Sequence, residues 1–278
     1  MFKMPQIAIY DTFGNYVDSM DKDESHKMIE RAHRQKKPQP HLQTHIGVYL
    51  FDMREAFLAQ NTSPFKTHNA DKVCKSFGGH LLDGYSESAT LLEIANREFL
   101  IPIALVTARE LEEIILNHPT LLEDQAFVME LDSERQSVSS RDLGGRRKPL
   151  LEKCIQSDYG GVFNGKDKAI DLETSLTPYS LERLDELIRT KGKQFTGDLK
   201  QAYQKYGSRE FARILRNVRW SKEIALNPGP ELINTFHMDG TSADPVSRRT
   251  VHDSIRESYL RGEPQKTKHH HVAGLLLT

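Results

Sequence analysis

Apolar and polar positions alternate in short runs along the first half of the chain, with turn-forming residues between the runs. QIAIY at 6–10 reads as a short strand, followed by the turn DTFGN and a second extended piece. HKMIERAHRQKKPQPH at 26–41 is polar and broken by proline, which predicts a loop or a short helix. THIGVYLFD at 44–52 is the clearest strand, rich in β-branched and aromatic residues and ended by Asp52. EAFLAQN at 55–61 follows a tight turn and is predicted to pair with it as a hairpin.

The pattern then changes period. Ser86 is a good N-cap for a helix over about 87–98, where Leu91, Ala95 and Phe99 recur on one face. FLIPIALV at 99–106 is a buried apolar segment interrupted by Pro102, and ARELEEIILNHPTLLED holds an amphipathic helix that stops near Pro119. AFVMEL at 126–131 is a strand. The stretch 132–149 has few apolar residues and many turn formers, so it is predicted to be a surface loop or insertion. YGGVFNG at 159–165 reads as a strand end, 176–192 as a turn then a helix, and further helices are predicted over 195–207 and 208–220. Beyond them the pattern weakens into a proline-, glycine- and charge-rich stretch that ends in VAGLLLT.

Composition narrows the class. Of 278 residues, 37% are hydrophobic and 28% charged, an ordinary globular balance. Lys and Arg number 38 against 39 Asp and Glu, so the net charge of −1 gives no electrostatic case for a nucleic-acid partner or an acidic membrane. No stretch approaches the roughly 20 apolar residues of a membrane span. Two cysteines, Cys74 and Cys154, make no disulfide framework, and no signal peptide is evident, so a cytoplasmic location is expected.

The candidate chemistry lies in KSFGGHLLDGYSESATLLEIANREFLIP, residues 75–102, where two glycines and a histidine precede a loop and an acidic amphipathic helix. This order of elements resembles the Nudix superfamily, whose box runs G-x5-E-x7-R-E-U-x-E-E-x-G-U, with U a bulky aliphatic. Gly79 takes the first position, Glu98 the last glutamate and Ile101 the final aliphatic. The chain departs from the box at Tyr85, Glu93, Ile94, Arg97 and Leu100. A closer resemblance is to the isopentenyl-diphosphate isomerase branch. IAIYDTFGNYVDSMDKDESH is similar to its opening strands and metal histidine, landing on His26. PHLQTHIGVYLFD is similar to its histidine-led strand, with His41 or His45 at the ligand position and His33 a further candidate. GGH puts His80 at another ligand position, and FTGDLKQAY is similar to its late helix. The resemblance covers roughly 5–207.

It implies a Nudix-like α/β/α sandwich with a mixed sheet over 1–207, followed by a mainly helical or irregular extension over 208–278. It also implies a divalent metal, Mg or Mn, held by His26, His41, His80 and Glu98, because a diphosphate needs its charge neutralised. Ile94 cannot ligate, and Arg97 could instead hold a phosphate directly, beside Gly78 and Gly79 as substrate-binding positions. Asp158 or Glu152 is the expected strand carboxylate, with Glu98 and Asp158 as catalytic candidates. The branch carries a cysteine where this chain has Gly78. Three functions are therefore in play: pyrophosphohydrolysis of a diphosphate-containing small molecule, isomerase-like or carbocation chemistry on a prenyl diphosphate, and a Nudix fold kept as a ligand-binding or interaction module. HHH at 269–271, RRK at 146–148 and RQKK at 34–37 are read as solvated, and VAGLLLT as a terminus that could add a strand within or between chains in a homo-oligomer.

Overall fold

The computed structural model describes residues 6–65, 68–98, 102–143, 149–164, 176–226, 232–236 and 242–247. The sequence motifs at 146–148, 269–271 and 272–278 lie outside them. The chain divides into two compact units, Met1–Ser221 and Lys222–Thr278. The first is an α/β unit built on a mixed ten-stranded sheet. Strands β10 (Leu176–Ser180), β4 (Ala56–Asn61), β3 (Leu42–Phe51), β9 (Leu150–Val162), β8 (Ala126–Arg141) and β7 (Ile103–Leu105) lie side by side in that order. β1 (Ile7–Tyr10), β2 (Tyr16–Met20), β5 (Val73–Cys74) and β6 (Phe77–His80) join along its edges. In the second unit, β11 (Leu232–Phe236) and β12 (Ser242–Ser247) pair antiparallel.

β3 organises the sheet. All ten of its residues are buried. One edge pairs in parallel with β9, from Thr44↔Ile155 to Phe51↔Val162. The other edge is shared by three antiparallel partners: β1 at Leu42 and Gln43, β6 from His45 to Val48, and β4 at Leu50 and Phe51. Because side chains alternate across a strand, Ile46, Val48 and Leu50 share one face. There they pack with Phe77 and with Leu91, Ile94 and Ala95 of helix α2 (Glu87–Glu98). Tyr49 and Phe51 share the opposite face. They pack with Leu111 and Ile115 of α3 (Ala108–Asn117), Leu184 of α4 (Leu181–Lys191), Leu199 of α5 (Gly197–Tyr206) and Val218 of α6 (Ala212–Leu226). Residues 208–221, which the sequence places in the extension, thus bring Phe211, Ile214, Leu215 and Val218 into this core.

Local chemistry explains the helices. Asp21 caps α1 (Lys22–Arg34) by accepting from the backbone N–H of Asp23 and Glu24. Thr107 and Glu110 form a capping box on α3, and the Ser86 Oγ accepts from Ala89 N–H as expected. Residues 26–34 take the helical of the two forms expected for 26–41. One expectation is revised. The polar stretch 132–141 continues β8 as a ladder with β9 as far as Arg141↔Leu150, with register irregularities between Glu130 and Arg135. Its polarity misleads because its inward side chains, Ser139 and Arg141, are buried against a polar part of the sheet. Among the described residues, no helix is long and apolar enough to cross a membrane.

Ile94, at a glutamate position of the Nudix box, is fully buried. A Cβ at Gly79 would lie 2.8 Å from its Cδ1, so the glycine lets α2 sit close on the sheet. Restoring the acid with Ile94→Glu is expected to cost about 3–5 kcal/mol of stability, because it buries an unpaired carboxylate. Ile94→Val should cost only about 0.5–1.5 kcal/mol. Urea unfolding of both variants checks the ordering.

Candidate functional site

The face of β3 that carries Tyr49 and Phe51 carries His41, Gln43, His45 and Gly47 nearer its start, so one sheet face is apolar at one end and polar at the other. Three elements converge on the polar end. His45 of β3 is in register with His80 of β6, and their ring centroids are 4.8 Å apart. α1 lays His26 over them, with its Nε2 3.3 Å from that of His80. On the other edge of β3, β9 supplies Glu152, whose Oε1 is 3.9 Å from His45 Nε2. Neither of those two atoms has a hydrogen-bond partner, although both are buried. Arg141 of β8 pairs with the second Glu152 oxygen at 2.6 Å.

Burial sets the protonation of this cluster. It drives His26 down to about 2, with the charge of Arg141 adding. It drives His45 down to about 3, against the pull of Asp198. His80 falls well below its ordinary value for the same reason, reinforced by His45 and His26. Burial pushes Glu152 up to about 7, against the pull of Arg141. The cluster is therefore a set of neutral imidazoles around a carboxyl that changes state near neutrality.

Two register steps along, on the same face, Gly47 faces Gly78. A Cβ on Gly78 would lie 2.3 Å from the Ile46 carbonyl oxygen and 2.7 Å from Lys75 Cε, so the space in front of it holds the Lys75 side chain. Lys75 Nζ is 3.7 Å from Oδ2 of Asp198, which opens α5 and accepts from Ser139 Oγ at 2.5 Å. A Cβ on Gly47 would meet Asp158 Oδ1 at 2.7 Å. Asp158 is fully buried and accepts from Gln156 Nε2 at 2.7 Å, Arg135 Nη2 at 2.8 Å, and the hydroxyls of Tyr206 at 3.0 Å and Tyr49 at 3.4 Å.

The residues expected from the sequence are thus distributed unevenly. His26, His45, His80 and Glu152 come together. His41 shares the strand face, but its Nε2 is 2.5 Å from Ser25 Oγ, which also accepts from Gln43 Nε2, so it ties α1 to β3. His33 is exposed on α1. Asp158 lies on the same face within its own network of donors. Glu98 and Arg97 pair with each other at 2.9 Å at the end of α2, on the opposite side of the sheet from the histidines. Gly79 also faces that side. Lys75, Arg141, Asp198 and His68, which bonds Glu30 at 2.6 Å, were not singled out from the sequence. For Lys75 and Asp198 a signal existed, a lysine three residues before Gly-Gly and an acid opening the late helix, but sequence alone does not show that they meet.

Among the described residues, no group of three or more His, Cys, Asp or Glu side chains is placed to hold a metal ion. One histidine pair does have the spacing of two ligands. The 3.3 Å between His26 and His80 matches the edge of about 3.3 Å set by tetrahedral bonds of about 2.0–2.1 Å. The orphaned His45 and Glu152 atoms are further donors. On the far face, a pocket of 730 Å³ between the starts of α2 and α3 is lined by Tyr85, Glu87, Glu110 and Tyr159, with Glu87 held by the Ser157 and Tyr159 hydroxyls.

No family model matches the chain, and no curated protein is similar to it. A crystal structure of DR0079 from Deinococcus radiodurans aligns with a TM-score of 0.45 and 11% identity, over 72% of this chain and 98% of that one.

The imidazoles make stability depend on pH. Unfolded, they take up protons near pH 6.5, whereas folded they stay neutral until far more acid solution. The unfolded state then binds more protons over about pH 4.5–6.5, so stability rises with pH across that window. Glu152 acts in the opposite sense, its raised value keeping a proton in the fold that the unfolded chain has lost. One carboxyl offsets one imidazole of three. The urea midpoint of chelator-treated protein is expected to climb from about pH 5 to about pH 6.5, and less steeply in His45→Asn. A flat or falling midpoint in wild type would contradict the neutral cluster.

Proposed function

We propose that the chain is a metal-dependent enzyme that hydrolyses a diphosphate-containing small molecule, with its reaction centre on the polar face of β3, β6 and β9. The observation that carries this reading is the buried His45 Nε2 and Glu152 Oε1, both without hydrogen-bond partners, beside the His26–His80 pair. Buried polar atoms are costly to leave unpaired, and three neutral imidazoles gathered beside a carboxylate suit a divalent ion. His26, His45 and His80 would hold it with Glu152 alongside. Imidazole favours Mn²⁺, and Mg²⁺ is suited when diphosphate oxygens complete the shell. When bound, the ion supplies charge neutralisation at the diphosphate.

The chain's own groups supply the rest. Glu152, pushed up to about 7, is poised to take a proton from a water at its free Oε1 near neutral pH. Arg141 balances the charge of the carboxylate through an ion pair with its other oxygen. Glu98 has no part in this centre, and the work that the Nudix box gives to α2 falls here to strand and α1 side chains. Two free thiols, Cys74 and Cys154, suit a reducing, cytoplasmic setting.

The meeting of His26, His45 and His80 also favours a second reading, the isomerase-like chemistry that the resemblance implies. Against it, Gly78 has no room for the cysteine side chain of that branch.

The test is a mass-spectrometric screen with Mg²⁺ or Mn²⁺ over nucleoside di- and triphosphates, dinucleotides, sugar nucleotides and C5 to C15 prenyl diphosphates. A pair of products is expected whose masses sum to the substrate plus one water. Turnover should drop roughly 10²–10⁴-fold in Glu152→Gln and should persist in Glu98→Gln. Loss in Glu98→Gln with retention in Glu152→Gln would return the chemistry to the box. An isomer of unchanged mass would favour the second reading, and a folded wild type inert on every member would leave a binding module.

A further inference from the structure

Two cations are buried beside the histidine cluster with hydrogen-bonding capacity left over. Lys75 is 9% exposed and Arg141 7% exposed. Arg141 Nη1 is buried with no partner. The Lys75 ammonium makes no hydrogen bond among the described residues, and its ion-pair partner Asp198 Oδ2 is 3.7 Å away, beyond donor reach. Burial works to lower the Lys75 ammonium, but Asp198, Cys74 and Asp158 hold it above its ordinary value, so it stays charged. A buried charge with open donors is costly unless something anionic completes it.

The carboxylates nearby do not consume this capacity. Asp158 is filled by Gln156, Arg135 and two tyrosines, and Asp198 Oδ1 is taken by Ser139. The strand register places Lys75 over Gly78, next to the His45–His80 pair. Arg141 reaches the same cluster from β8, through Glu152. Gly78, His80 and His26 are part-exposed, so the cluster is reachable from solvent on that side.

We infer that Lys75 and Arg141 form an oxyanion subsite that binds the phosphoryl oxygens of the ligand next to the histidine cluster. Lys75 donates to one phosphoryl group as a compact point charge, and Arg141 Nη1 donates to its neighbour. Two donors held separately, Lys75 on the link between β5 and β6 and Arg141 at the end of β8, select a ligand with two linked phosphoryl groups over one with a single group. The inference deepens the hydrolase reading by naming what holds its substrate, but the binding itself needs neither metal nor turnover.

The experiment uses inorganic pyrophosphate as the probe, titrated calorimetrically into the full chain with chelator present, so that its outcome is separate from that of the substrate screen. Wild type is expected to bind pyrophosphate at least tenfold more tightly than orthophosphate, with affinity that falls as salt rises. Lys75→Met should weaken pyrophosphate at least tenfold. Because that change strands Asp198, the charge-balanced Lys75→Met/Asp198→Asn pair is measured as well, with its urea midpoint, and should show the same loss while folded. No pyrophosphate binding by wild type, or wild-type affinity in the folded double variant, would overturn the inference. So would an affinity that falls in Arg97→Met but not in Lys75→Met.

Discussion

A single strand, β3, is buried along its whole length, and the rest of the first unit is arranged to pay that debt of backbone hydrogen bonds. Buried N–H and C=O groups must be paired, and no single neighbour does this on the edge away from β9. β1, β6 and β4 each take a part of that edge in turn. The division has a chemical consequence. β6 must end where β3 carries His45, so its last residue, His80, is brought into register with it. The histidine pair is thus a product of sheet closure rather than of a local motif.

The same strand separates two kinds of interior. Its Ile46, Val48 and Leu50 side meets α2 in a continuous apolar layer. Its other side is apolar at Tyr49 and Phe51 and polar from Gly47 back to His41. A helix that packs on the first side cannot present carboxylates to the second, because the sheet lies between. Ile94 is therefore consistent with where α2 sits. Its position is worth more as core than as a ligand, and the acids of the polar face come from β9 and α5 instead.

Much of this architecture is legible in the sequence, because strands and helices with an apolar face announce their period. The 44–52 strand, its hairpin partner and the helix over 87–98 are read correctly for that reason. The stretch 132–141 is not, because a strand whose inward residues are Ser139 and Arg141 has no apolar alternation to detect. The site follows the same rule. His45 and His80 stand out as histidines near glycines, and His26 through the resemblance of the opening strands. Arg141 and Lys75 look like ordinary surface cations, and only the long-range pairing of β8 with β9 and of β6 with β3 buries them. Glu98 looked like the anchor because the box is a local motif, whereas the acid that meets the histidines, Glu152, is set by strand pairing more than a hundred positions away from His45.

What distinguishes the polar face is the sharing of charge within it. Asp158 is given every donor it can use, and it serves as a fixed tie between β8, β9 and α5. Glu152 is given one cation and an unfilled oxygen, Lys75 a carboxylate too far to bond, and His45 no partner for Nε2. Polar groups that served only to hold the fold would be expected to resemble Asp158, since each open donor or acceptor subtracts from stability. Arg135 Nε and Glu210 Oε2 are also left open, but His45, Glu152 and Arg141 are neighbours of one another, on the side where His26 and His80 reach solvent. Such a concentration of unmet capacity in one place is how a fold that is stable without its ligand keeps a site for one.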